Sequence, residues 1–193
     1  EWNYGNLEED YVKDEKKHLG NSILIGNSAT KTNNHLDILN IIQNLNLYKF
    51  DIYLPLSYGE ANYKNEILNY VKNIEFKGAL NCLEDFMPYN EYISILEKCG
   101  NVFMGHIRQQ AMGNILALLY MGAKVFFFRE SVVYKYLTNK GVKVFSYDEL
   151  FSNPKLLETN LNDDVIINNR KILLSNWGKT VNERNTQNIL LQI

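Results

Sequence analysis

Arg108, Gln109 and Gln110 form a stretch whose residue types suit the binding of an anion. They stand between a predicted buried strand, residues 101–107, and a predicted apolar helix, residues 110–121. A guanidinium presents parallel N–H donors that match the oxygens of a phosphate, and the first amides of a helix favour negative charge. The stretch therefore predicts a phosphate site. The alternative is a structural arginine that pairs with a carboxylate across the edge of the sheet.

A second run of small and polar residues follows the first predicted strand. Backbone amides of such a turn, together with the N-terminus of the next helix, can hold a phosphate. An ordinary capped loop uses the same residue types, because helices begin preferentially at Ser, Thr or Asn. Both interpretations stay open at this point. The run comprises Gly26, Asn27, Ser28, Thr30, Thr32, Asn33 and Asn34.

Four aromatic or apolar residues follow the second and third predicted strands: Tyr58, Phe86, Met87 and Tyr89. Side chains of this kind form flat slots for a nucleobase or a sugar ring. Tyr89 serves equally well as a hydrophobic staple for the helix that follows it.

Three further positions near the strand ends have both a binding and a structural interpretation. Gly113 lets a ligand approach the backbone closely, or it lets two helices pack. Glu130, with Ser131 next to it, stands where a carboxylate can accept hydrogen bonds from sugar hydroxyls. The alternative is a solvated glutamate before a helix. We find no Ser-His-Asp, Cys-His or paired-carboxylate constellation.

Motifs and charge exclude several functional classes. The sequence lacks both the G-x-G-x-x-G motif and the G-x-x-x-x-G-K-[ST] phosphate loop. A formal net charge of −2 argues against nucleic acid, which needs clustered lysine and arginine. Cys82 and Cys99 fit no zinc or disulfide pattern, and no Asp-x-Asp pair is present to hold a metal ion. The apolar stretch 115–128 is shorter than the roughly 20 residues of a membrane span.

The histidines, His18, His35 and His106, show no metal-ligand spacing. We expect them to be exposed or locally hydrogen-bonded.

Short apolar runs alternate with helical patterns from Ser22 onward. We predict strands at 23–25, 51–56, 79–83, 101–107, 124–128 and 142–147. We predict helices at 35–46, 62–74, 89–99, 110–121, 132–139, 148–157, 163–176 and 178–192. Parallel neighbours need crossovers, and right-handed crossovers place helices on both faces of the sheet. The prediction is therefore an α/β fold, a Rossmann-like doubly wound parallel sheet of about six strands, with ligands beyond the carboxyl ends of the strands.

The 193 residues are the length of one globular domain. The charged segment 1–20 is predicted to be a linker or an N-terminal surface helix, and residues 21–193 the ligand-binding domain. Because the chain begins with glutamate, we expect it to be part of a larger protein.

Several ordered motifs together resemble glycosyltransferase family 56 over about residues 22–150. That family comprises bacterial transferases that move 4-acetamido-4,6-dideoxygalactose (Fuc4NAc) from TDP to lipid II of the enterobacterial common antigen. The motifs are Ile25-Gly26-Asn27-Ser28, Thr32-Asn33-Asn34-His35, Pro55-Leu56-Ser57-Tyr58-Gly59, Arg108-Gln109-Gln110-Ala111-Met112-Gly113 and Gly122.

The resemblance implies the C-terminal, donor-binding half of a GT-B fold. It implies that the base and ribose contact the segment 86–89, and that Glu130 or Ser131 faces the sugar. Better-known GT-B enzymes clasp the ribose with a glutamate in the helix after the fourth strand. Residues 114–121 contain no acidic residue, so we expect ribose recognition to differ. The TDP phosphates would be held by Gly26, Asn27, Ser28, Arg108, Gln109, Gln110 and Gly113.

The implied mechanism is electrostatic, since amides and a guanidinium stabilise the departing diphosphate without a metal ion or a cofactor. The catalytic base is expected in an N-terminal domain, so we expect this chain to bind the donor without turnover. The implied acceptor is a glycan linked to undecaprenyl pyrophosphate. We therefore expect a peripheral protein on the cytoplasmic face of the bacterial inner membrane.

Two other functions compete with this interpretation. A GT-B transferase or epimerase of another specificity would prefer uridine nucleotides. A noncatalytic flavodoxin-like or receiver-like module would share the architecture. Receivers hold Mg²⁺ with acidic residues at the end of the first strand, where this chain has Gly26, Asn27 and Ser28.

Overall fold

A computed structural model describes residues 7–10, 19–47, 49–74 and 78–191. Six parallel strands form one sheet in the order β3-β2-β1-β4-β5-β6. The chain moves outward from β1 to β3 and then returns to place β4 on the other side of β1. This is the doubly wound arrangement that was predicted, with its topological switch point between β1 and β4. The strands are β1 Ile23–Ile25, β2 Ile52–Pro55, β3 Leu80–Leu83, β4 Asn101–Met104, β5 Lys124–Phe127 and β6 Phe145–Ser146.

Helices connect the strands and end the chain. The described α-helices are α1 Leu7–Asp10, α2 His35–Asn44, α3 Ala61–Lys72, α4 Tyr89–Leu96, α5 Met112–Met121, α6 Val132–Asn139, α7 Tyr147–Ser152, α8 Asp163–Trp177 and α9 Lys179–Leu190. Two short 3₁₀ helices cover Lys31–Asn33 and Pro154–Leu157. None of the helices in the described ranges is long and apolar enough to cross a bilayer.

Both faces of the sheet are buried, because the side chains of each strand point alternately to opposite faces. Ile23 and Ile25 of β1 pack in a core with α2, α3 and α7, whereas Leu24 packs in a second core with α5, α6 and α8. Helix α5 supplies seven consecutive buried residues, 115–121. This burial accounts for the apolar composition of the helix predicted at 110–121.

β4 ends at Met104, three residues before the predicted end at Ile107. A Cβ atom on Gly105 would lie 2.3 Å from the carbonyl oxygen of Asn33. Asn34 Nδ2 also donates a 2.7 Å hydrogen bond to the carbonyl oxygen of Gly105. The chain therefore leaves the sheet here to pack against the loop after β1.

Helix α7 begins at Tyr147, inside the strand predicted at 142–147. Ser146 Oγ accepts from the backbone N–H of Glu149, whose carboxylate accepts from the N–H of Ser146 at 2.7 Å. This capping box satisfies two helix-end donors and fixes the start of the helix. The Ser-x-x-Glu spacing is the sequence signal that identifies it.

Two predicted helices have different limits in the structure. The helix predicted from residue 110 begins at Met112, because Ala111 has a left-handed φ of 56°. The helix predicted at 148–157 is divided at Asn153, since a proline at position 154 disfavours helical backbone before it.

The predicted linker or surface helix, 1–20, lies largely outside the described residues. Within it, α1 places Leu7 in the core, where only 6% of the residue is exposed. The domain limits at residues 20 and 21 stay a prediction.

Candidate functional site

The loops after β1 and β4 meet at the carboxyl edge of the sheet. β1 and β4 are paired neighbours, with Ile25 opposite Phe103. The N–H of Gly26 donates to the carbonyl oxygen of Phe103 at 2.9 Å. The two polar stretches of the sequence therefore lie side by side at the switch point.

The turn after β1 contains two adjacent backbone donors, on the buried residues Asn27 and Ser28. Gly26 has a φ of 65°, and Asn33 Nδ2 donates a 2.8 Å hydrogen bond to the carbonyl oxygen of Ser28. Within the described part of the chain, the N–H groups of Asn27 and Ser28 have no hydrogen-bond acceptor. Successive amides of this kind form a concave site for an anion.

The side chains of this run do not cap α2. The N-cap of α2 is Asn34, which has a left-handed φ of 51° and makes no side-chain capping bond. Ser28 Oγ instead lies 2.8 Å from Thr30 Oγ1. The interpretation as an ordinary capped loop is therefore wrong.

Gln110 joins the two loops. Thr32 Oγ1 donates to Gln110 Oε1 at 2.6 Å, and Gln110 Nε2 lies 3.4 Å from Asn27 Oδ1. Asn27 Nδ2 in turn donates to the hydroxyl of Tyr58 at 2.9 Å. Side chains that follow β1, β2 and β4 thus form one polar cluster.

Arg108 is exposed at the edge of this cluster. Its Nη2 lies 3.5 Å from Thr32 Oγ1. No described carboxylate lies within ion-pair distance of the guanidinium, so the structural-arginine interpretation is wrong. Gln109 is exposed beside it. The positive charge of Arg108 remains available to a ligand.

Helix α5 directs its N-terminus toward the same edge, and no side chain caps it. A Cβ atom on Gly113 would meet nothing within 4 Å. Gly113 is therefore not a helix-packing glycine, and that alternative is wrong. Open space lies next to the first turn of α5, where the helix dipole favours an anion.

His106 supports the loop after β4 from inside the protein. The residue is fully buried, and its ring lies nearly parallel to that of Phe127. Its Nε2 lies 3.1 Å from the carbonyl oxygen of Gln110. Because a carbonyl can only accept, this nitrogen carries the proton. Burial, with a smaller effect of Arg108, lowers the pKa of His106 to about 4.

His35 is also fully buried, and burial lowers its pKa to about 4. Neither of its ring nitrogens has a partner among the described residues. The expectation of exposed or locally bonded histidines is therefore wrong for His35. His106 is buried but locally hydrogen-bonded, and His18 lies outside the described residues.

The other predicted site residues follow β3 and β5 at the carboxyl edge of the sheet. Phe86 is 91% exposed, and Tyr89 is half-exposed at the start of α4. Glu130 is exposed, whereas Ser131 is fully buried and its Oγ has no partner within the described ranges. The aromatic slot and the contact with the sugar stay predictions.

Sequence reasoning placed Thr32 in the polar run without a partner, and it assigned no role in the site to His35 or His106. In the sequence, Thr32 is one of several polar residues in the loop after β1. Its partner Gln110 is 78 positions away, so no local pattern pairs them. The signal for His35 is the glycine at position 26, which leaves space for a large side chain behind the turn.

A separate cavity of about 230 Å³ lies at the opposite, amino-terminal edge of the sheet. It is lined in part by the buried Lys124, whose Nζ donates to the carbonyl oxygens of Leu156 and Thr159. Burial lowers the pKa of Lys124 to about 8. These contacts tie the loop after α7 to the sheet, far along the strands from the polar cluster.

This architecture is the Rossmann-like fold of the C-terminal domains of GT-B glycosyltransferases. The structure is similar to the C-terminal domain of a glycosyl transferase group 1 family protein (LpcC) from Francisella tularensis. The TM-score is 0.64 at 14% identity, covering 91% of this chain and 99% of that chain. The predicted fold is confirmed.

Two longer proteins are also similar in fold. One is an alpha-glucosyltransferase (AGT) in complex with UDP, at a TM-score of 0.69 and 12% identity. The other is AviGT4, a glycosyltransferase involved in avilamycin A biosynthesis, at a TM-score of 0.60 and 13% identity. The matches cover 96% and 95% of this chain. The chain spans about half of each protein, 54% in both cases.

The chain belongs to the family 4-alpha-L-fucosyltransferase glycosyl transferase group 56, whose model matches residues 6–180. The resemblance drawn from the sequence motifs is confirmed, and the match extends beyond residues 22–150 on both sides.

Proposed function

We propose that this chain is the donor-binding half of a glycosyltransferase that uses a nucleoside diphosphate sugar. The observation that carries the proposal is the placement of three groups at one edge of the sheet, where the loops after β1 and β4 meet. These groups are the free amides of Asn27 and Ser28, the unpaired guanidinium of Arg108 and the uncapped N-terminus of α5. All three favour a doubly charged anion.

The same groups account for catalysis. Sugar transfer breaks the bond between the anomeric carbon and the β-phosphate oxygen, and negative charge accumulates on the departing diphosphate. Fixed donors that face this charge stabilise the transition state more than the bound substrate. The residues proposed to hold the phosphates are Gly26, Asn27, Ser28, Arg108, Gln109, Gln110 and Gly113.

The proposed donor is TDP-Fuc4NAc, and the proposed acceptor is a glycan linked to undecaprenyl pyrophosphate. Family membership supports a sugar donor of this kind. The base that deprotonates the acceptor hydroxyl is assigned to a second, N-terminal domain, so the chain alone binds the donor without turnover. A lipid-linked acceptor places the protein on the cytoplasmic face of the inner membrane.

A uridine nucleotide is the second candidate donor. The similar structure of AGT was determined in complex with UDP, which favours this alternative. The protein group that distinguishes thymine from uracil must contact the 5-methyl group of the base. Phe86 and Tyr89, both exposed near the end of β3, are proposed for this contact.

Isothermal calorimetry with TDP, UDP, GDP and ADP tests the proposal. We expect TDP to bind more tightly than the other three nucleotides. Arg108→Ala should weaken TDP binding about tenfold or more, because a hydrogen bond to a charged group contributes about 1.5–3 kcal/mol. Arg184→Ala, at an exposed position in α9, is the matched control and should bind TDP normally.

Each part of the proposal has its own contrary outcome. Tighter binding of UDP would replace the thymidine donor with a uridine donor. Equal affinities of the Arg108 variant and the unaltered chain would disprove the phosphate role of Arg108. Failure of all four nucleotides to bind would reject the donor-binding function.

A further inference from the structure

His35 lies directly behind the turn that follows β1. A Cβ atom on Gly26 would lie 2.8 Å from His35 Nε2 and 3.3 Å from its Cε1. The amides of Asn27 and Ser28 continue from Gly26 on the same turn. The edge of the imidazole is therefore separated from the proposed phosphate site by one layer of backbone.

The placement of His35 is unfavourable for stability alone. Both ring nitrogens are buried and have no partner in the described part of the chain. Asn33 Oδ1 is also buried without a partner, and the carboxamide carbon of Asn33 lies 3.3 Å from the same point beside Gly26. Unpaired buried polar groups reduce stability, and an apolar side chain would avoid that loss. Stability therefore does not explain the polar side chain at position 35.

Among the described residues, no charged group bonds to the ring nitrogens of His35. From α3, the hydroxyl of Tyr63 accepts from the backbone N–H of His35 at 2.9 Å, and the two rings lie 5.7 Å apart. Burial raises the pKa of Tyr63, and the carboxylates of Glu66 and Asp37 raise it further. The phenol is therefore neutral. In the free protein at neutral pH, the buried imidazole is neutral as well.

We propose that His35 is a positioning residue for the donor diphosphate, which supports the turn from behind Gly26 and takes up a proton from solvent when the diphosphate binds. The inference rests on the proposed function. An anion held by the amides of Asn27 and Ser28 would lie across one layer of backbone from the ring, and an opposite charge nearby favours the protonated form. His35 makes no bond to the donor, and the proton returns to solvent when the diphosphate leaves.

Calorimetry of TDP binding at pH 5.5, in two buffers with different ionisation enthalpies, measures this proton uptake. The unaltered chain should take up more protons than His35→Gln, and the variant should bind TDP about tenfold more weakly. Proton exchange by TDP itself is common to both proteins. Tyr63→Phe is the matched control, because it removes the contact with the backbone of His35 and leaves the imidazole intact. It should lose stability and retain the proton uptake.

Histidine NMR on the unaltered chain gives a second test that does not require the variant to fold. The His35 ring should be neutral at pH 5.5 in the free protein and protonated when TDP is saturating. If TDP binds and His35 stays neutral, or if His35→Gln shows the same affinity and proton uptake, the positioning role is wrong while the donor site stands. If no nucleotide binds, the proposed function fails and this inference fails with it.

Discussion

At the scale of single residues, Thr32 connects the two loops of the proposed donor site. Its hydroxyl donates to Gln110 Oε1 at 2.6 Å and lies 3.5 Å from Arg108 Nη2. One hydroxyl thus fixes an amide side chain and lies within reach of the guanidinium proposed to bind phosphate. Groups that are oriented before the ligand arrives lose less entropy on binding.

We predict that Thr32→Val weakens TDP binding about fivefold, since one neutral hydrogen bond contributes about 1 kcal/mol. The valine keeps the shape of the side chain and removes the donor. Thr32→Ser retains the hydroxyl and is the matched control, with an expected affinity within about twofold of the unaltered chain. Calorimetry of the three proteins measures the effect. Equal affinities for Thr32→Val and Thr32→Ser would show that the hydroxyl does not orient the site.

The residue types of the candidate site were easier to predict from the sequence than the contacts between those residues. Arg108 and the run from Gly26 to Ser28 were predicted because glycine, small polar residues and arginine at strand ends suit a phosphate. The contact between Thr32 and Gln110 spans 78 positions. Such a contact depends on which strands become neighbours, and that information lies in no local pattern.

At the scale of the elements, α5 both builds the core and forms one wall of the site. Its residues 115–121 are buried, whereas its first turn is open to solvent and uncapped. Ala111 adopts a left-handed conformation before the helix. This backbone turn makes the helix begin late and directs its free amides to the edge of the sheet.

We predict that Gly113→Ala raises the melting temperature and weakens TDP binding. Alanine in a helix is favoured over glycine by up to about 1 kcal/mol, and the new methyl group meets no protein atom within 4 Å. The same methyl group would extend into the space proposed for the diphosphate. Thermal unfolding and calorimetry measure the two effects separately.

Gly122→Ala is the control for the Gly113 variant. Gly122 has a φ of 100°, and a Cβ atom there would lie 3.1 Å from Ile166. We expect this variant to lose stability and to bind TDP normally in its folded state. If Gly113→Ala leaves TDP affinity unchanged, the diphosphate does not approach the first turn of α5.

The elements themselves were largely predictable, because apolar periodicity sets them locally. The start of α6 at Val132 agrees with the sequence pattern. The end of β4 at Met104 differs from the predicted end at Ile107, because it depends on the close approach of Gly105 to Asn33. The predicted strand 142–147 is reduced to Phe145 and Ser146, because the backbone of Lys143 is hydrogen-bonded to the side chain of Asn169 and the capping box of α7 starts a helix at Tyr147.

At the scale of the whole molecule, rules of chain connection favour a doubly wound parallel sheet when strands alternate with helices, and the Rossmann-like sheet was predicted on that basis. No sequence pattern indicated that His35 and His106 are buried next to the proposed donor site. Their burial depends on the packing of loops from β1 and β4 over the sheet edge. The stability of this packing therefore depends on pH.

We predict that stability falls as the pH is lowered from 7 to 5, partly because of His35 and His106. Burial lowers the pKa of each from 6.5 to about 4 in the folded protein. The unfolded chain therefore binds more protons below pH 6.5, so the free energy of unfolding is highest above that pH and declines toward pH 4. Linkage gives a loss of about 2 kcal/mol for each histidine between pH 7 and pH 5. Urea unfolding at the two pH values measures the total loss of unfolding free energy.

His106→Gln keeps an amide donor for the carbonyl of Gln110 and should reduce the pH-dependent loss by about 2 kcal/mol. An equal loss in this variant and in the unaltered chain would mean that His106 titrates normally in the folded protein.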